Sequence, residues 1–258
     1  MYFTYHSELF CTQVVNSRMK STAFLNLDNK KIIRSVRILP TFAHFLDVFI
    51  SNYDIFLRGM IKTLHITAVS IFLALFIGLF FAFLKISKIK VLEWIANFYI
   101  FLVRGTPLIV QIFIFYYGLV NLNISQFWAV TLALAFHNGA YIAEIFRGAI
   151  QSVDNGQTEA GRSLGMSRSL TMRRIILPQA FRRSLPPLGN QFIIGLKDSS
   201  LAAFIGFYEL FNVAQTRGAQ TFDYMTNLLV VAVYYLILVG LLSVIVSLLE
   251  KRYAASDK

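Results

Sequence analysis

The sequence predicts an all-α integral membrane protein with five transmembrane helices and one long cytoplasmic insertion between the third and the fourth. Three observations predict it. Of 258 residues, 57% are hydrophobic and only 14% are charged, whereas soluble domains lie near half apolar and about a quarter charged. Charge-free stretches recur at lengths that suit a bilayer, which a helix of roughly 20 apolar residues can span. The polar residues gather instead in one arginine-rich segment between Arg147 and Pro186.

The remaining composition excludes other classes. A net charge of +11 in so apolar a chain fits the basic loops of a membrane protein, so no nucleic-acid partner is expected. Cys11 stands alone, which excludes a disulfide framework or a cysteine metal cluster. His6, His44, His65 and His137 show no ligand spacing, so no metal is expected, and a membrane-embedded enzyme has no nucleophile or metal constellation to work with. The first residues lack the charged start and apolar run of a cleavable signal peptide.

Residues 1–40 show no periodic pattern and form an unassigned N-terminal extension; residues 41–258 are expected to form the transmembrane domain. Between Phe42 and Phe56, apolar residues recur at helical spacing, as in a helix lying in the membrane interface. The first span is expected at about 60–84, where Thr63–Leu84 carries no formal charge. Positions 105–143 are also free of formal charge, too long for one helix, and the polar run Asn121–Ser125 divides them into spans at about 104–120 and 126–146. A fourth span, about 185–207, carries Lys197 and Asp198 near its middle; a fifth, about 226–249, is charge-free. Small residues four apart mark helix seams: Ser70, Ala74, Gly78 and Ala82 on the first span, Ala135, Gly139 and Ala143 on the third, and Gly195, Ser199 and Ala203 on the fourth.

Orientation follows from the basic residues beside the spans. Lys85, Lys88 and Lys90, the arginines of the insertion, and Lys251, Arg252 and Lys258 share one side, while the 121–125 turn has no basic residue and the 207–225 loop has only Arg217. The insertion and the C-terminus are therefore expected in the cytoplasm and the N-terminus outside. The N-terminal basic residues Arg18, Lys20, Lys30, Lys31, Arg34, Arg37, Arg58 and Lys62 run against that assignment.

Within the insertion, about 148–183, Thr158 can cap a short helix with Glu159 in its first turn. Gly165 interrupts it, Ser167 can cap a second helix to about Ile176, and Pro178 is expected to kink or end that run. Leu164, Met166, Leu170, Ile175 and Ile176 then form an apolar ridge with a basic rim, suited to a groove on another protein.

Glu159-Ala160-Gly161, then Gly165, then Ile175-x-Leu177-Pro178 resembles the EAA loop of the membrane subunits of ABC importers. Arg104-Gly105-Thr106-Pro107, the run Ala140–Ile150, Gly156–Gly161 and Leu196–Leu201 extend the resemblance to the polar amino-acid permeases, the histidine-, glutamine- and arginine-type branch, over about residues 55–252. Gly161 departs from the family's usual Ala, which softens the first short helix by up to about 1 kcal/mol.

The resemblance implies a type I importer fold in the bacterial cytoplasmic membrane, with Glu159, Ala160, Gly161, Leu164, Gly165, Ile175, Leu177 and Pro178 in a coupling helix docked on a cytoplasmic ATPase dimer. It also implies a second permease, either this chain or a sister, and an extracytoplasmic solute-binding protein. No G-x-x-x-x-G-K-[ST] phosphate loop occurs in the chain. The chain is thus expected to be a transporter subunit without a cofactor, with ATP bound by the partner. A stand-alone secondary transporter or channel is the alternative; it would typically show internal repeats and leaves the insertion without purpose.

Intramembrane charge is costly and marks functional candidates. Asp198 and Lys197 are either substrate contacts or charges neutralised by a neighbouring helix or sister subunit. His137, Asn138 and Tyr141 are candidates for a polar path, with an internal hydrogen bond as the other reading of His137. Glu144 is expected to pair with Arg147 three residues on, and Arg104 and Pro107 to form a structural hinge at the start of the second span.

Overall fold

The computed structural model describes residues 40–254, all helical or turn with no strand among them. The N-terminal extension, apart from its last residue, and residues 255–258 lie outside the described residues. The helices are α1 (Phe42–Ser51), α2 (Tyr53–Ile86), α3 (Lys90–Gly105), α4 (Leu108–Phe113, continued by a π-turn Ile114–Gly118) and α5 (Gln126–Gln151). They continue as α6 (Asn155–Ser163), α7 (Arg168–Thr171, continued by a π-turn Met172–Ile176), α8 (Leu177–Asp198, continued by a 3₁₀ run Ser199–Ile205), α9 (Leu210–Thr221) and α10 (Tyr224–Ala254).

Three helices, α2, α5 and α10, are long and apolar enough to cross a membrane, or four if α3 and α4, bent by 102° at their junction, make one broken span. This corrects the expected second span at 104–120. α3 begins at Lys90, and the stretch from Arg104 to Pro107 is the bend between α3 and α4 rather than the start of one straight helix. Pro107 caps α4, where its missing N–H costs nothing. The helix at the expected fourth span, α8, starts at Leu177 and runs through Pro186 and Pro187 to Asp198, and it is not among the helices apolar enough to cross a membrane by composition.

Proline fails to end the α7–α8 run because the turn before it is widened. The Leu177 amide bonds five residues back to the Met172 carbonyl, and this extra residue per turn makes room for the ring of Pro178. The first span likewise begins early, at Tyr53, so Tyr53 and Phe56 belong to α2 and not to the interfacial helix. That shorter helix, α1, is tied to the loop before α10 by His44 Nε2 and Asp223 Oδ2 at 2.8 Å. Partial burial works against ionisation of Asp223, but hydrogen bonds from Thr226 and His44 outweigh it and hold the carboxyl below its ordinary range.

The expected seams are where helices touch. Ser70, Ala74, Gly78 and Ala82 of α2 are all buried, as are Ala135, Gly139 and Ala143 of α5. A Cβ on Gly78 would sit 2.5 Å from Ile142 Cγ2 and 3.0 Å from the Ala143 amide nitrogen, and one on Gly139 would sit 2.7 Å from Ile77 Cγ2. The two glycines thus interlock across one contact, as close packing in lipid requires.

Glu209 is fully buried and fastens a second junction. Its carboxylate accepts from the Phe211 and Asn212 amides at 2.9 and 2.7 Å, capping α9, and from Thr63 Oγ1 at 3.4 Å and Tyr235 Oη at 3.2 Å. One side chain therefore joins α2, α9 and α10.

Gly78→Leu should destabilise the detergent-solubilised protein by about 1–3 kcal/mol through overpacking, whereas Gly240→Ala, whose added Cβ meets nothing within 4 Å, should hold or raise the melting temperature, through up to about 1 kcal/mol of helix propensity. Glu209→Ala should cost at least about 2 kcal/mol, because it removes a cap and strands buried donors. Glu209→Gln, which keeps an accepting oxygen, should cost visibly less in the same thermal melt.

Candidate functional site

The candidate residues fall in two groups, one at the basic end of the helices and one between them. The basic-end segment is built from α6, α7 and the π-turn. Asp154, not Thr158, caps α6: its Oδ1 accepts from the Gly156 amide at 2.6 Å, so the helix opens one turn earlier than expected. Asp accepts as well as Thr at an N-cap, and choosing between two capping residues four positions apart needs the backbone angles. Ser167 caps α7, accepting from the Leu170 amide at 3.2 Å. Gly165 between them has φ of +78°, a left-handed conformation in which a side chain costs about 1–2 kcal/mol.

The fold divides the expected apolar ridge. Leu164 is 81% exposed and Leu170 38%. Ile176 instead turns inward, packing with Ala149, Val153 and Ala180, with Met172 and Ile175 against that cluster. Gly161 is buried, and a Cβ there would lie 2.9 Å from Thr171 Cγ2 and 3.1 Å from Ile175 Cδ1. The glycine therefore fits α6 closely against α7 here, where the stiff Thr171 side chain occupies the space. Glu159 and Ala160 are exposed beside it, as are Arg162 and Pro178, while Leu177 is half-buried.

The segment is bolted to the helices it joins. The Arg183 guanidinium donates to the Ser152 carbonyl, linking the start of α8 to the end of α5. Glu144 pairs with Arg147 at 2.7 Å on the same helix, and its other oxygen takes Lys85 of α2. Sequence reasoning reached the first pair and missed Lys85; the accumulation of cations at this end was the available signal.

Of the expected path residues, the structure brings two together, His137 and Tyr141, with Arg104 of the expected hinge and Gln111 beside them. His137 Nδ1 lies 3.2 Å from Gln111 Oε1, its ring is 5.3 Å from that of Tyr141, and the Arg104 guanidinium carbon sits 5.0 Å from the Tyr141 ring centre. Gln111 also donates to the Val103 carbonyl at 2.8 Å and to Thr106, spanning the bend. Arg104 is thus exposed on one face of the isolated chain and packs on an aromatic ring as well as marking the hinge.

Asn138 is fully buried on the other side of α5: its Nδ2 donates to the Leu134 carbonyl and its Oδ1 accepts from Gln191 of α8 at 2.8 Å. Lys197 is exposed and Asp198 half-buried at the end of α8, and neither forms an ion pair with another described residue. Gln111 and Gln191 escaped the sequence reading, because an uncharged amide in an apolar helix announces itself only through a distant partner.

Residues 37–255 match the family model described as binding-protein-dependent transport system inner membrane component. The chain is 44% identical over 208 residues to the probable amino-acid ABC transporter permease protein YckA of Bacillus subtilis (strain 168), covering 80% of this chain and 92% of that protein. It is 36% identical over 204 residues to the arginine transport system permease protein ArtQ of the same organism, covering 78% and 93%. Among solved structures, an amino acid ABC transporter crystallised with histidines superposes with a TM-score of 0.76 at 40% identity, over 81% of this chain and 98% of that one. The long apolar helices, the basic segment bolted to two of them and these matches agree: the chain belongs to the family of inner-membrane components of binding-protein-dependent transport systems, the permease subunits of ABC importers.

Proposed function

We propose that this chain carries polar amino acids across the bacterial cytoplasmic membrane as one of two permease subunits driven by a separate ATPase dimer. The observation that carries the reading is the 155–178 segment: a capped helix bearing Glu159-Ala160-Gly161, a left-handed Gly165, and a second helix running without a break into α8. In this reading α6 is the coupling helix and Leu164 and Leu170 are its exposed apolar contacts. The second permease is this chain itself or a sister, and a solute-binding protein delivers the substrate from outside. The amino-acid class follows from the relatives named YckA and ArtQ.

The reading orders the membrane as five spans: α2, the bent α3–α4 pair, α5, α8 and α10. The Lys85–Lys90 turn, the coupling segment and the C-terminus are cytoplasmic, since loop cations favour that side. The N-terminus is outside. ATP binds only in the partner. His137 and Tyr141 line the substrate path beside Arg104, and Asp198 with Lys197 forms a second polar station further along α8.

Gly165→Val and Glu159→Ala should each cut ATPase co-purification and amino-acid uptake at least about tenfold, a loss of about 1.4 kcal/mol of coupling, with the permease still in the membrane. Asp198→Asn should abolish uptake in cells while the ATPase still co-purifies. Full uptake by either coupling variant rules out the assigned docking surface, and full uptake by Asp198→Asn removes that carboxylate from the path.

A further inference from the structure

The turn between α2 and α3 and the face of α6 opposite it enclose an open pocket of about 570 Å³. Lys88 of the turn, Arg162 of α6 and Arg168 of α7 line it, with the Thr158 hydroxyl among them and no carboxylate in the lining. Three cations from three separate elements converging without an acid between them is uncommon for a protein surface, where opposite charges usually alternate. The side chains of Lys88 and Arg168 make no hydrogen bond or ion pair with another described residue, and Arg162 spends one nitrogen on the Met166 carbonyl at 3.3 Å.

The floor of the same pocket is apolar: Ile86, Met172 and Ile176. Ile86 is the last residue of the 34-residue α2, so the pocket opens at the level where a spanning helix leaves the hydrocarbon. Beyond its rim, Ile89 and Val91 are 56% and 66% exposed. Cations around a polar mouth, an apolar floor and an apolar flank at the bilayer surface match a charged headgroup with acyl chains attached better than a soluble anion, which has no use for the flank.

We propose that this pocket binds the phosphate of an anionic phospholipid headgroup, with Lys88, Arg162 and Arg168 as its donors and the acyl chains lying along Ile89 and Val91. The site bridges the α2–α3 turn and the segment between α5 and α8, so an occupied pocket braces that segment against the membrane surface. It does not depend on which solute the protein carries.

The test is native mass spectrometry of the full chain, purified with its co-expressed ATPase, titrated with phosphatidylglycerol, phosphatidylcholine or inorganic phosphate. Phosphatidylglycerol should be retained over phosphatidylcholine, and each charge removed should weaken it roughly fivefold, so that Lys88→Gln with Arg168→Gln loses about 25-fold. Arg168→Lys, which keeps the charge, should restore most of the retention. Lys88→Gln alone, in a turn outside the helices, provides the readout if the double variant does not assemble. Equal retention of both lipids, or no loss in either variant, overturns the site. Displacement of the lipid by inorganic phosphate at equal concentration overturns the lipid as its occupant.

Discussion

The contact between α2 and α5 at Gly78 and Gly139 is the constraint on which the rest of the bundle depends. In lipid there is no water to expel from between two helices, so they hold together only by approaching closely enough for dispersion and polar ties to act. Gly78 admits Ile142, and Gly139 admits both Ile77 and the hydroxyl of Tyr99, which would lie 2.9 Å from a Cβ there. Once α2 and α5 are seated, α5 becomes the hub for α3, α4 and α8, while α9 and α10 are tied to α2 through Glu209. Tyr99 ties α3 to it through the Phe136 carbonyl at 2.6 Å, Gln111 ties α4 through His137, and Gln191 ties α8 through Asn138. Each incoming helix brings one polar group, satisfied on α5, because a stranded one would cost several kcal/mol in hydrocarbon.

What the chain disclosed in one dimension was whatever depends on local composition. The charge-free runs located α2, α5 and α10; four-residue spacing of small side chains located the seams; Gly165 and Ser167 located the break and the cap in the basic segment. Errors arose wherever a local signal had two meanings. Lys90 and Glu93 resemble a loop, yet they form the first turn of α3, with the acid at the helix N-terminus as the dipole prefers. Arg104-Gly105-Thr106-Pro107 resembles the start of a span and is the 102° bend between α3 and α4. Pro178 resembles a stop, and the preceding π-turn absorbs it. The polar ties were less legible still. Nothing near Glu209 in sequence indicates that Thr63 and Tyr235 will meet it, and nothing near Glu144 points to Lys85.

The same ties separate the candidate path residues into two kinds. The basic segment is fixed to α5 and α8 together, through Arg183 on the Ser152 carbonyl and through Ile176 and Ala180 packed on Ala149 and Val153. Lys85 on Glu144 holds α2 to that unit at the same end. From Leu177 to Asp198, α8 is one uninterrupted helix of 22 residues, about 33 Å long at 1.5 Å per residue. Under the proposed function, a push on the segment therefore tilts α5, α8 and α2 as a body. The bent pair α3–α4 is joined to that body by Tyr99, Gln111 and the packing of Ile100 and Val103 on Ala140 and Ala143, and is itself bent by 102°; in the same reading, relative motion falls at this boundary, where two packed units can slide. His137, Tyr141 and Arg104 lie on the boundary and change their surroundings when it moves. Asn138 and Gln191 lie inside the body and do not. A residue that must hold a solute in one state and release it in another belongs to the first set, so under the proposed function Asn138 is read as a structural tie and the histidine face of α5 as the side that meets the substrate.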